Sequence, residues 1–504
     1  MYEISKNNLS LSKILSRSDS LISVEGDTIV SDAKPDIMNI LSIDSLINIY
    51  DTSIANDSAD ISGVAEFNIL YSSDNPTNEI FKLSTSLPFK TSIDLPGGTN
   101  SISILADTTK IIPTILNSRK LNISATLKLT ISAMENSSTE YINKIEDNEN
   151  IEVLSSNIMI SNFIGKYNDN IVIKEEIALP ENMPEIRDIL RYEYSISNKE
   201  NLISDNKIIF KSDLNIYLYY TPMDDTQISE FNFNIPISGF MNTDKLSPNC
   251  NISTDYTLKN SNFSLIQDIN SANRKINCEI SFSIESSAML NTPIDIISDL
   301  YSTEKNIIPS RENIIYHNIE NNTSELVQIR NSFDLESTDD VKLLSCFAKV
   351  KNLSTKNDNS KMFIIGDIET TMIFESNGMI NSQTSDYPFE YLINSNSNIT
   401  PIICPSAFVE SLEAMPSDYN KFDIKLSINL SYKIYLPHEI SLLKDISEED
   451  IENNNSSSIT VYYPKKDDCY FNIGKQFNCK MNDLFELNKI DKDSKMPKML
   501  LICK

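Results

Sequence analysis

Few residues in this 504-residue chain have the types and spacing that catalysis requires. The two histidines, His317 and His438, lie far apart in sequence, and neither sits in a recognisable catalytic motif. The chain also lacks the Walker A, GxGxxG, GxSxG and HExxH patterns that would position a phosphate, a nucleophile or zinc. We therefore predict a protein that is not an enzyme and uses no cofactor, with both histidines at strand edges or in loops.

Metal ligation is also disfavoured. The acidic pairs Asp339–Asp340 and Glu448–Glu449 lie in segments without the spacing of an EF-hand, so a solvated acidic surface is the better interpretation. The seven cysteines include no CxxC pair, although Cys469, Cys479 and Cys503 fall close together near the C-terminus. We predict no metal and reduced thiols, with oxidative cross-linking of these three cysteines as the open alternative.

Charge is distributed unevenly along the chain. Residues 459–504 hold 9 Lys+Arg and 6 Asp+Glu, so they carry +3 within a total of −28, and the rest carries −31. A body this acidic repels nucleic acid and anionic lipid. No apolar run approaches 18 residues, and the first 17 residues lack the apolar core and cleavage site of a secretory signal. We expect neither a nucleic-acid partner nor a membrane span.

Two alternating patterns recur three times along the chain. The first ends on an aromatic residue and occupies 61–71, 210–220 and 364–374, at offsets of 149 and 303. The second occupies 121–133, 276–288 and 422–434, at offsets of 155 and 301. A period of two is typical of half-buried strands. Because order, spacing and apolar face persist in all three copies, the patterns predict three repeated modules.

We predict a mainly β fold of three repeated antiparallel, sandwich-like modules, followed by a small α+β unit of strand–helix–helix–strand order. The predicted segments are 1–20 at the N-terminus, modules at 21–155, 156–312 and 313–445, an acidic linker at 446–458, and the tail at 459–504. Leu9, Leu11, Ile14 and Leu15 favour a short N-terminal helix, either packed on the first module or bound to a partner. Residues 35–41 are either one helical turn or the entry to a strand.

The first module resembles a known family. VEGDTIVSDAKPDIMNIL at 24–41 and GVAEFNILY at 63–71 resemble the SPOCS domain of sporulation proteins. The second module repeats the Pro-acid-Ile run as Pro184, Glu185 and Ile186, while the third is a degenerate copy.

The tail resembles a LysM domain. The matching positions are Val461, Asp468, Phe471, Ile473, Phe477, Leu484, Leu487, Asn488, Leu500 and Ile502. The resemblance implies that Phe471 and Phe477 are buried and hold two helices on a small sheet. Glycan-binding LysM domains usually carry Gly-Asp-Thr or Gly-Asp-Ser before the first helix, where this chain has Asp467, Asp468 and Cys469. Because side chains replace the glycine at which the sugar would approach, glycan binding is disfavoured.

SPOCS modules followed by a LysM module resemble coat-assembly proteins of anaerobic spore formers over essentially the whole chain. The resemblance implies a scaffold or adaptor in the mother-cell cytoplasm, at the forespore surface and in the spore coat. Its partner would be the self-polymerising ATPase of the coat basal layer, with other coat proteins as further candidates. The predicted docking patch on the tail is Tyr463, Lys465, Lys466, Tyr470 and Lys475. The alternative is a peptidoglycan or glycan binder that acts through the LysM module.

Overall fold

The chain is built almost wholly from strands. The computed structural model describes residues 3–73, 79–146, 150–225, 227–244, 246–267, 273–336, 340–358, 361–393, 400–450, 459–492 and 494–503. In this described part, the two helices are short and lie near the C-terminus. Neither is long or apolar enough to cross a lipid bilayer.

The first module consists of two three-stranded sheets. Its strands are β1 (Glu3–Ile29), β2 (Ile37–Ala55), β3 (Ser58–Ser73), β4 (Ile80–Asp94), β5 (Ser101–Asn117) and β6 (Lys120–Glu146). The sheet orders are β1-β6-β5 and β2-β3-β4, with antiparallel neighbours throughout. The strands β3 and β6 are the central strands of the two sheets, and alternate side chains of each enter the common core.

The second and third modules repeat this arrangement. The second comprises β7 (Ile151–Ala178), β8 (Ile186–Ser204), β9 (Lys207–Pro222), β10 (Ser229–Asn242), β11 (Asn251–Ile266) and β12 (Lys275–Ser302). The third comprises β13 (Lys305–Asp334), β14 (Val341–Asp358), β15 (Lys361–Ser376), β16 (Met379–Ile393), β17 (Ile402–Asp418) and β18 (Lys421–Asp450). Their sheets have the orders β11-β12-β7, β10-β9-β8, β13-β18-β17 and β14-β15-β16. The predicted fold class is confirmed.

The aromatic residue that ends the first repeated pattern has one position in all three modules. Tyr71, Tyr220 and Phe374 are each buried near the end of a central strand. The two tyrosine hydroxyls donate hydrogen bonds of 3.1 Å to the carbonyl oxygens of Pro35 and Pro184, each 36 residues upstream. The hydroxyl thus fixes the Pro-acid-Ile segment to the sheet in the two modules that retain this motif.

The three modules pack around a shared centre. Leu70, Tyr219 and Ile373, which the offsets of 149 and 303 make equivalent, lie together in one apolar cluster. The long outer strands extend past the sandwiches and form a second shared cluster: Leu9, Leu11, Tyr141, Ile160, Tyr316, Ile440 and Leu442. Each module therefore touches the other two, and the body is a ring of modules rather than a linear array.

The predicted N-terminal helix is wrong. Residues from Glu3 onward form the strand β1, which pairs with β6 from its first residue. Leu9 and Leu11 alternate as a strand requires and are buried in the second shared cluster. A register shift between Ile14 and Ser16 interrupts the alternation and gives the apolar residues a helix-like spacing. Residues 37–41, left open between a helical turn and a strand, belong to β2.

The segment boundaries also differ from the prediction. The strand β1 belongs to the first module, which therefore spans 3–146; the second spans 151–302 and the third 305–450. The boundaries shift because the first and last strands of each module pair along their full length. Residues 446–450 of the predicted linker form the end of β18. Residues 451–458 lie outside the described residues.

Candidate partner-binding site in the C-terminal module

The tail is a small module of two strands and two helices. Its elements are β19 (Ile459–Tyr462), α1 (Tyr470–Phe477), α2 (Met481–Asn488) and β20 (Leu500–Cys503). The two strands are antiparallel neighbours. The predicted strand–helix–helix–strand order is confirmed, whereas the LysM resemblance stays a prediction.

One face of the small sheet packs on the helices. The buried core contains Ile473, Cys479, Leu484, Leu500 and Ile502. Burial raises the pKa of the Cys479 thiol. Asn488 joins the end of α2 to β20: its side chain donates to the carbonyl oxygen of Leu501 at 2.7 Å and accepts from the Leu501 N–H at 2.7 Å.

The two predicted aromatic core residues have different surroundings. Phe477 is half-buried in the tail core, with its ring centroid 5.2 Å from that of Tyr462. Phe471 is buried, but its ring lies against Tyr301 of β12 at 5.1 Å, so it joins the tail to the body. The prediction that Phe471 holds the helices on the small sheet is therefore wrong, because the second module occupies that side of α1.

A carboxylate organises the loop between β19 and α1. Asp468 accepts hydrogen bonds from the Lys465 backbone N–H at 2.7 Å and from the Tyr462 hydroxyl at 2.8 Å. These two bonds, the backbone bond first, lower the pKa of Asp468. The turn leaves Lys465 and Lys466 exposed, and neither lysine has an ion pair within the described part of the chain.

The structure separates the predicted patch into two groups. Tyr463, 68% exposed, lies beside the exposed Lys465 and Lys466. Tyr470 is half-buried, and its hydroxyl donates to the carbonyl oxygen of Ser494 at 3.2 Å. Lys475 donates to both carboxylate oxygens of Asp299 on β12 at 2.7 Å. The side chains of the first group are exposed, whereas Tyr470 and Lys475 have contacts within this chain.

The tail docks on the end of β12. The Tyr301 hydroxyl donates to the carbonyl oxygen of Cys479 at 2.8 Å, and burial raises the pKa of Tyr301. The Asn478 side chain donates to the carbonyl oxygen of Thr303 at 3.1 Å, beside the contacts of Phe471 and Lys475. This surface could not be predicted from the sequence, because the residues that meet there lie about 175 positions apart and belong to no repeated pattern.

Two arginines hydrogen-bond the segments that lead into β2 and β8. Arg119 donates to the Asp36 carboxylate at 2.7 Å and to the Ser31 carbonyl oxygen at 2.8 Å. Arg274 donates to the carbonyl oxygens of Pro180 and Met183 at 2.6 and 2.9 Å. Neither arginine was predicted as a functional residue. The signal was present, because the offset of 155 that relates the second pattern also relates Arg119 to Arg274.

The residues considered for other chemistry lie in structural roles. His317 is buried, and its Nδ1 accepts a hydrogen bond from the Ile14 N–H at 3.2 Å. Glu448 pairs with Lys305 at 2.8 Å on the body surface. Asp339 lies outside the described residues. Among the residues that the structure describes, no three His, Cys, Asp or Glu side chains form a metal-binding group.

Comparison with known proteins supports the SPOCS resemblance. Residues 36–113 and 185–266 match the family model described as SipL, SPOCS domain. The two segments contain the second to fourth strands of the first two modules and most or all of the fifth. This match is consistent with a role related to the spore coat. Neither a curated protein nor a solved structure matches the chain.

Proposed function

We propose that the protein is a non-enzymatic scaffold or adaptor in spore coat assembly. In this proposal it acts at the forespore surface, in the mother-cell cytoplasm, and binds the self-polymerising ATPase of the coat basal layer. The SipL-type SPOCS match in the first two modules is the observation that carries the proposal. The ring of packed modules supports it, because a rigid body that presents a separate small module is suited to holding partners in place.

The C-terminal module is the proposed docking element for the ATPase. Its loop 463–466 exposes a tyrosine and two lysines without ion partners in the described chain. Exposed aromatic and basic side chains are common anchors of protein interfaces. Asp467 stands where a glycan-binding LysM domain has glycine, and its exposed side chain lies where the sugar would approach, which disfavours the alternative of glycan binding.

The proposal is tested by binding of the full chain to the purified ATPase in biolayer interferometry. Lys465→Glu/Lys466→Glu should weaken binding roughly tenfold at low salt, with a smaller effect at high salt because screening removes electrostatic steering. The matched control is Lys90→Glu/Lys211→Glu, which reverses two exposed lysines of the body. Equal losses in both variants would contradict a specific role for the tail.

A further inference from the structure

The outer face of the small C-terminal sheet is apolar and exposed. Strand pairing places Ile459 opposite Cys503 and Val461 opposite Leu501, and Tyr463 and Met499 follow at the open end. The exposed fractions are 68% for Ile459, 48% for Val461, 68% for Tyr463 and 47% for Met499. We refer to the following six residues as the outer sheet face: Ile459, Val461, Tyr463, Met499, Leu501 and Cys503.

This composition is unusual for a sheet surface that faces water. An antiparallel sheet with one solvated face normally alternates apolar and polar residues. The central strand β6 of the first module shows this alternation: between its buried residues, the outward positions hold Asn122, Ser124, Thr126 and Lys128. The tail sheet instead has apolar side chains on both faces, since Leu500 and Ile502 are buried against the helices. A sheet that is apolar on both faces is expected to have a layer on each side.

Within the described part of the chain, one of these layers is present, on the inner side of the sheet. The helix α1 lies between the small sheet and the body, because Ile473 enters the tail core while Phe471 and Lys475 contact β12. The outer sheet face therefore lies on the side of the sheet opposite α1. The preceding sequence, IENNNSSS at 451–458, contains one large apolar residue and is too polar to supply an apolar layer. Among the described residues, no second layer covers the outer sheet face.

Charge at one end of the face indicates the chemistry of a partner that would fit it. Lys465 and Lys466 follow Tyr463, and Lys498 precedes Met499, so three exposed lysines border the same end. Within the described residues none of the three forms an ion pair. An apolar surface with this border is complementary to an apolar protein surface edged by carboxylates.

We infer that the outer sheet face docks an apolar protein surface bordered by Asp or Glu, and that it forms the centre of the tail's partner-binding site. This inference rests on the proposed function and adds to it the apolar contact that holds the complex together. The lysines at the border accelerate encounter, whereas burial of the sheet face slows dissociation.

The test compares two kinds of variant in the full chain, with the purified coat basal-layer ATPase as the probe. Val461→Thr/Leu501→Thr should weaken binding at least tenfold, mainly through faster dissociation, and the loss should persist at high salt. Threonine is β-branched and favours strands at both positions, so the melting temperature should not fall. A second variant, Tyr463→Ser/Met499→Ser, alters positions outside the paired strands and should also weaken binding at least tenfold. The control Leu202→Thr/Leu326→Thr changes two body leucines that are each 55% exposed and should bind normally.

The outcomes separate this inference from the proposed function. Failure of the unaltered chain to bind the ATPase would overturn the proposed function, and the inference with it. Binding that survives both outer-face variants would overturn the inference alone. Sedimentation of the unaltered chain provides a further test: a dimer that Val461→Thr/Leu501→Thr abolishes would assign the face to a second copy and overturn the inference.

Discussion

The Tyr301 hydroxyl donates a 2.8 Å hydrogen bond to the carbonyl oxygen of Cys479, which joins the end of the second module to the loop between the two tail helices. A Cβ atom at Gly474 would overlap this hydroxyl, so the close approach of α1 to Tyr301 requires glycine. The body and the tail therefore pack closely where Tyr301 meets Gly474. The ion pair between Lys475 and Asp299 is a second contact between them.

We expect Gly474→Ala to release the tail without unfolding it. Alanine favours a helix over glycine by roughly 0.5–1 kcal/mol, so α1 itself should not be weakened. Hydrogen exchange should show faster exchange of the body amides around Asp299–Thr303 and unchanged protection of α2. Ser494→Ala, which alters the tail away from the body, is a suitable control. Unchanged protection of the body in Gly474→Ala would contradict the docking geometry.

Truncation of the two tail phenylalanines should affect amide protection in different parts of the protein. Removing a fully buried Phe costs about 3–5 kcal/mol and a half-buried one less, but a module of this size has only a few kcal/mol in reserve. Phe477→Ala removes a ring from the tail core and should abolish amide protection in both helices. Phe471→Ala removes a ring at the contact with Tyr301 and should increase exchange at that contact while the helices stay protected. Loss of helix protection in both variants would show that Phe471 also supports the tail core.

Arg119 is expected to stabilise the first module through its loop contacts. Arg119→Met would leave the Asp36 carboxylate and the Ser31 carbonyl oxygen without these donors, at a cost of about 2 kcal/mol. Arg119→Lys should lose nearly as much stability as Arg119→Met, because one ammonium group cannot replace the planar set of guanidinium donors. The neighbouring control Lys120→Met removes an exposed ion pair with Asp27 and should cost at most about 1 kcal/mol. Urea unfolding measures the stability of the three variants. Wild-type stability in Arg119→Lys would contradict a role for the guanidinium geometry.

His317 should make stability sensitive to mild acid. Burial lowers its pKa below the ordinary value of 6.5, with Lys13 and His438 adding to the effect. The neutral ring is also needed as an acceptor for the Ile14 N–H. As the pH falls, His317 therefore binds a proton in the unfolded chain before it does so in the folded chain. The contribution of neutral His317 to the free energy of unfolding is complete above pH 6.5 and decreases as the pH falls below 6.5.

The experiment compares wild type with His317→Asn, which keeps an acceptor near the Nδ1 position but does not titrate. The free energy of unfolding should fall more steeply between pH 7.5 and 5.5 in wild type than in the variant. Acid effects on carboxylates are common to both proteins and cancel in the difference. Equal slopes would contradict a neutral buried His317.

Much of the body could be predicted from sequence because strand alternation is a local signal. The patterns at 61–71 and 121–133 coincide with parts of the central strands β3 and β6, where one face is buried throughout. The start of the outer strand β1 has the apolar spacing of a short helix because a register shift between Ile14 and Ser16 interrupts its alternation. The ring arrangement of the modules and the contact of Tyr301 with the tail depend on residues that are distant in sequence. Contacts between such residues cannot be predicted from a single sequence. In the predicted patch, the exposure of Lys465 could be predicted because this residue lies in a loop. The contact of Lys475 with Asp299 could not, because it depends on how the tail docks on the second module.

The most direct test is to measure binding of the full chain to the coat basal-layer ATPase and to peptidoglycan fragments under the same conditions. The account predicts saturable binding of the ATPase that Val461→Thr/Leu501→Thr weakens at least tenfold, together with no calorimetric signal from chitin or peptidoglycan fragments. Glycan binding at about micromolar affinity (roughly −8 kcal/mol), with no binding of the ATPase, would contradict the account and favour a glycan-binding function.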